Sequence, residues 1–107
     1  MRPEGSARFS PGQLVSHKRY GYRGVVVDFD VKCLADDAWY QKNQTQPHRD
    51  QPWYHVLVDG SGATTYAAQE NLEPDGSGQP VDHPLIEQFF TGFEDGQYIP
   101  RDELESD

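Results

Sequence analysis

Residues 53–60, Trp-Tyr-His-Val-Leu-Val-Asp-Gly, constrain the chain more than any other stretch. Trp53 to Val58 alternates as a β-strand does. Trp53, His55 and Leu57 face one way, and Tyr54, Val56 and Val58 the other. Asp59-Gly60 is the sharpest hairpin signal in the chain, and Ala63 to Ala67 reads as the returning strand. A two-stranded hairpin is marginal in water on its own, so other segments must add strands and a core.

Pro11-Gly12 is a turn signal, and Gln13 to His17 then reads as a short strand. Tyr20-Gly21-Tyr22 makes a bend. Tyr22 to Asp30 is the clearest further strand, with β-branched Val25, Val26 and Val27. Gly24 allows a close backbone approach or a bulge. Three successive valines imply burial on both faces, or a strongly bent strand serving two surfaces. Gln69 to Leu72 reads as one tight turn with Leu72 pointing in. Short strands joined by tight turns predict a mainly β fold, a small SH3-like or partly open β-barrel with a short helical insertion and a C-terminal helix.

The insertion spans Leu34 to Lys42, where two helical turns place Leu34, Ala38 and Trp39 on one face. A polar loop follows over residues 43–50. Pro74 to Pro80 is a linker. Asp82 is the expected cap of a helix opening at His83-Pro84, with Leu85, Ile86, Phe89 and Phe90 as its apolar face and Gly92 as its end. Phe93, Tyr98 and Ile99 are expected to pack back on the barrel or on another subunit. Residues 1–8 and 101–107 read as disordered ends, which leaves a domain over 9–100.

A length of 107 residues argues for one domain with one modest core. Cys33 is the single cysteine, so no intrachain disulfide can form. No apolar run approaches the roughly 20 residues of a membrane span. Met1 to Ser6 lacks a signal-peptide core, and a cytoplasmic location is expected.

The residues give little support to catalysis. His17, His48, His55 and His83 are scattered, and neither Cys33 nor any serine has a local activating partner. His55 reads either as a base or as a half-buried, hydrogen-bonded strand residue. Asp28 and Asp30 share a strand face and read either as a metal or acid–base pair or as a polar strand end. No CxxC or HxxxH spacing exists, and the glycines form no phosphate-cradling loop ahead of a helix. The expectation is a non-enzymatic protein with no metal and no cofactor.

Charge is unevenly spread. The net charge is −9, yet residues 1–27 carry +4 and residues 61–107 carry −10. His17-Lys18-Arg19-Tyr20-Gly21-Tyr22-Arg23 places three cations and two tyrosines around one bend. Such a bend can hold phosphates while its rings stack on bases or sugars. The alternative is a solvated hairpin with tyrosines on the barrel rim. An acidic body does not attract phosphate at long range, so any nucleic-acid contact here is local and modest in affinity.

Four blocks carry a family resemblance: Phe9 to His17, Tyr22 to Asp30, Gln51 to Asp59 and Thr65 to Leu72. In order and spacing they resemble the hemimethylated-DNA-binding (YccV-like) domain, whose pattern runs G-Q-x-V-x-H, Y-x-G-V-[VI]-x-D-x-D, P-W-Y-H-V and Y-x-x-x-x-L. Gly24, Val25, Asp28, Trp53, His55, Tyr66 and Leu72 are the motif framework. The resemblance implies a small β-barrel that binds DNA, with a preference for hemimethylated sites near replication origins. It also implies a heat-shock-linked role like that of heat-shock protein Q, action on degradation through the Lon protease, and small homo-oligomers. Related eukaryotic domains sit inside larger proteins, an F-box protein among them. Candidate DNA-contact residues are His17, Lys18, Arg19, Tyr20, Tyr22, Arg23, Arg49 and Tyr54, with Lys42 a further cation. Tyr54 is the expected exposed aromatic, and Trp53 and Leu57 the expected core. The rival reading is a protein-interaction factor, a Lon adaptor or specificity enhancer, using the acidic tail Asp102 to Asp107. Residues 92–100 lie outside the family pattern.

Overall fold

The structure, a computed structural model, describes residues 7–42 and 46–101. Five antiparallel strands form the main sheet: β1 (Leu14–His17), β2 (Arg23–Asp30), β3 (Trp53–Val58), β4 (Thr64–Ala68) and β5 (Leu72–Pro74). Their order is β4-β3-β2-β1-β5. β3 falls where its alternation places it, and β1, β2 and β4 lie within a residue of expectation. The expected tight turn is a 3-10 turn over Gln69–Asn71, and Leu72 leads from it into β5, an edge strand that a three-residue pattern cannot announce.

The expected class, mainly β and partly open, holds. The sheet does not close, and β4 and β5 remain its two edges. A hydrogen bond of 2.8 Å between the Tyr22 hydroxyl and Thr65 Oγ1 ties the β1–β2 bend to β4.

The valine run is explained by burial on both faces. Val26, Val15, Tyr54, Val56 and Leu72 pack with Phe9 on one face. Val25, Leu14 and Leu57 pack on the other with Val81, Phe90 and Tyr98 from the C-terminal segment. A bulge between Val26 and Asp28 follows directly. Gly24 is the expected close approach, because a Cβ there would collide with the Leu57 carbonyl oxygen.

The C-terminal segment corrects the expected helix. α2 is one turn, Ile86–Phe89, entered through Leu85 with no side-chain cap. Asp82 does not cap it, because Leu85 stands at the cap position; the Asp82 N–H donates to Asp59 Oδ1 at 2.7 Å. The chain instead forms a hairpin of β6 (Phe90–Glu94) and β7 (Gln97–Pro100), and Gly92 lies inside β6. Phe90 and Tyr98 are the apolar payload that covers the outer sheet face. Gly12 welds hairpin to sheet: its N–H donates to the Val26 carbonyl and its carbonyl accepts from the Tyr98 N–H, both at 2.8 Å. At φ +98° and against the Tyr98 carbonyl, only glycine fits there.

The insertion forms α1 (Asp37–Lys42), shorter than expected. Asp36 starts it by accepting the Trp39 N–H at 2.8 Å. Next to Phe9, the Arg8 N–H donates to the Tyr54 hydroxyl at 3.0 Å and to Gln69 Oε1 at 2.8 Å. Residues 1–6 and the tail 102–107 lie outside the described residues.

Candidate functional site

An open groove of about 380 Å³ runs along β4. Thr64 to Ala68 line it, the β1–β2 bend contributes His17, Tyr20 and Tyr22, and α1 contributes Trp39. Its size is at the low end for small-ligand sites, which run from roughly 300 to 1,000 Å³.

The bend is held by its histidine. His17 is buried, and its Nδ1 accepts the N–H groups of Arg19 and Tyr20 at 3.2 and 3.1 Å. Its ring stacks on Tyr20 at 4.6 Å and leans on Tyr22 at 5.1 Å. Burial, and then the charge of Arg19, push the His17 pKa down, so the ring stays neutral and keeps Nδ1 as an acceptor. His17 therefore shapes the bend from beneath. Lys18 and Arg19 are exposed, and Tyr20 is 50% exposed. Neither cation forms an ion pair among the described residues.

Arg23, the third cation of the bend, points elsewhere. Its Nη1 donates to Asp59 Oδ2 at 3.0 Å and its Nε to Asp75 Oδ2 at 2.9 Å. It also donates to the carbonyls of Gln79 and Pro80. Burial opposes its charge, but Asp75 and Asp59 more than compensate and its pKa rises. Arg23 staples the two hairpin ends and the linker together. Arg49 is likewise committed, to Asp37 at 3.5 Å, to the Ala35 carbonyl and to the face of Tyr40 at 4.9 Å. Lys42 is exposed at the end of α1.

Tyr54 is not the exposed aromatic. It is fully buried, packed edge-on to Phe9 at 5.3 Å, and its hydroxyl accepts the N–H groups of Arg8 and Phe9 while donating to Gln69 Oε1. Strand alternation put it opposite Trp53 correctly, but Phe9 and the Gln69 side chain close over its face of β3. Trp53 and Leu57 are core, as expected.

On the groove floor three polar groups of the motif framework and its strand meet. The Tyr66 hydroxyl donates to Asp30 Oδ2 at 2.7 Å and accepts the Leu34 N–H at 3.0 Å. His55 Nε2 lies 3.3 Å from the same carboxylate oxygen. Burial, and then Asp30, raise the Tyr66 pKa strongly, which keeps the phenol protonated as a donor. The ring of His55 lies 4.6 Å from that of Tyr66. Asp28 is exposed and its Oδ1 accepts the N–H of Phe29, whereas Asp30 bonds Tyr66 and His55. No group of three potential metal ligands occurs among the described residues.

Sequence reasoning missed Trp39, Thr64 and Thr65 as groove residues. Trp39 is 38% exposed and sits edge-on to Trp53 at 6.0 Å and to Tyr66 at 5.7 Å. A tryptophan in a polar insertion was the available signal.

An open five-stranded sheet with a cationic bend beside an aromatic groove is an architecture suited to binding. The chain belongs to the family of hemimethylated DNA-binding proteins like YccV, whose match spans residues 7–97. It is also 40% identical over 100 residues to F-box only protein 21 of Homo sapiens, of Pongo abelii and of Mus musculus, covering 91% of this chain. The chain spans 16% of the length of these curated relatives. Among the described residues no helix is long and apolar enough to cross a membrane.

Proposed function

We propose that the chain is a non-enzymatic DNA-binding module that meets the phosphate backbone with Lys18 and Arg19 and sets its aromatic groove against the nucleic acid. The observation that carries this reading is the pair of exposed cations, without an ion pair among the described residues, on a bend clamped by His17 whose neighbours His17, Tyr20 and Tyr22 line the groove, in a chain of the hemimethylated DNA-binding family. Two phosphate contacts on an acidic body give modest, weakly salt-dependent affinity. Preference for a hemimethylated site belongs to the same reading.

A fluorescence titration at low salt with hemimethylated, fully methylated and unmethylated duplexes tests it. Binding that is strongest for the hemimethylated duplex and lost on Lys18→Glu plus Arg19→Glu supports the reading. Absence of binding to all three duplexes refutes it. The curated relatives, being F-box proteins, give no support to the heat-shock and Lon expectations.

A further inference from the structure

β4 is an edge strand, and the groove exposes its unused side. The hydrogen bonds Val58 N–H to the Ala63 carbonyl and Gln69 N–H to the Pro52 carbonyl fix the phase of the β3–β4 ladder. With Val56 opposite Thr65 and Tyr54 opposite Ala67, residues 63, 65, 67 and 69 turn their backbone groups toward β3. Thr64 and Tyr66 therefore turn theirs away from β3 and into the groove. Neither has a backbone partner among the described residues.

An open edge of this kind supplies N–H donors and C=O acceptors, alternating in the plane of the sheet. The edge of a nucleobase needs the same alternation. Around it stand ring surfaces, Trp39 and Tyr20 being the most exposed. The two exposed cations, Lys18 and Arg19, lie in the chain between His17 and Tyr20, both of which line the groove. Two cations cannot hold a duplex firmly against a net charge of −9, whereas base stacking needs no charge at all.

From this juxtaposition we propose that the groove takes one unpaired nucleobase, stacked on Trp39 and Tyr20, with its edge on the backbone of Thr64 and Tyr66 and its phosphate at Lys18 and Arg19. The inference rests on the DNA-binding reading and adds to it a nucleotide subsite. An unpaired or mismatched base leaves its stack at least cost, so it enters most readily.

The test compares two hemimethylated duplexes of one sequence, one perfectly paired and one carrying a single unpaired thymidine. Affinity and tryptophan emission are measured together. Trp53 lies 6.0 Å from Trp39, so the emission change is assigned by repeating the titration in Trp39→Phe, which keeps only the buried Trp53. The expected result is about tenfold tighter binding of the duplex with the unpaired base, accompanied by quenching of Trp39. Trp39→Ala should reduce that preference to near unity, and Trp39→Phe, which keeps a ring, should retain most of it. Ultraviolet crosslinking of 5-iodouracil at the unpaired position should map to Trp39 or Tyr20. Equal affinity for both duplexes with unchanged emission overturns the nucleotide subsite and leaves the DNA-binding reading standing. No binding of either duplex at low salt overturns both.

Discussion

Arg23 Nε donates to Asp75 Oδ2 at 2.9 Å, and this one contact removes the third cation from the basic bend. Sequence proximity groups Arg23 with Lys18 and Arg19. The fold assigns it to holding the ends of β2, β3 and β5 together.

Arg23→Ala should therefore act on stability before binding. It leaves Asp59 and Asp75 without their cation and frees two linker carbonyls, so a loss of about 1–3 kcal/mol is expected in urea unfolding. Lys18→Glu plus Arg19→Glu should do the reverse. Both side chains are exposed, so the unfolding free energy should shift by less than about 0.5 kcal/mol while DNA affinity falls at least about tenfold.

Acid should loosen the bend before it unfolds the domain. His17 holds its proton less tightly when folded than when unfolded, where its ordinary value is 6.5. The unfolded chain thus binds more protons, and the stability from this site is complete above that value and declines as pH falls below it. Protonation of Nδ1 also breaks the bonds from Arg19 and Tyr20. In an NMR titration the amide signals of these two residues should move together with the His17 ring. Asp59 and Asp75 contribute at lower pH. The Asp82 N–H foremost, then Arg23, lowers the Asp59 pKa. Burial opposes ionisation of Asp75, but Ser77 and Arg23 prevail and its pKa also falls. Their contribution is complete above the ordinary value of 3.8 and is lost as pH drops through the folded values.

Tyr54→Phe should release the N-terminal segment without touching DNA. The hydroxyl accepts the Phe9 N–H, shares the Arg8 N–H with Gln69 Oε1 and itself donates to that oxygen, so its removal should cost about 1–2 kcal/mol. Faster amide exchange at Phe9, with a smaller change at Arg8 and unchanged DNA affinity, is the expected signature.

Most of the sheet was legible because period-two alternation and turn glycines are local properties. Trp53 to Val58 with Asp59-Gly60 announces itself. The side-chain partners were not legible, because they are set by distant segments. Tyr54 is buried because Phe9 and Gln69 close over it, and Arg23 is spent because Asp75 arrives from a linker 52 residues away. The hairpin over 90–100 was hidden for a related reason. Its helix-like apolar spacing, Leu85 to Phe90, serves one helical turn and then a strand that covers the sheet. The groove depends on an edge strand, a bend and an insertion meeting in space, and only the bend stood out as a motif.

The salt dependence of DNA affinity tests the central claim most directly. With Lys18 and Arg19 as the two phosphate contacts, the plot of log K against log salt for a hemimethylated duplex should have a slope of about −1.8. In the Lys18→Glu, Arg19→Glu variant, any residual binding should lose that dependence. A slope of about −4 or steeper, or a slope unchanged in the variant, would contradict the account, because the phosphates would then be met by other residues.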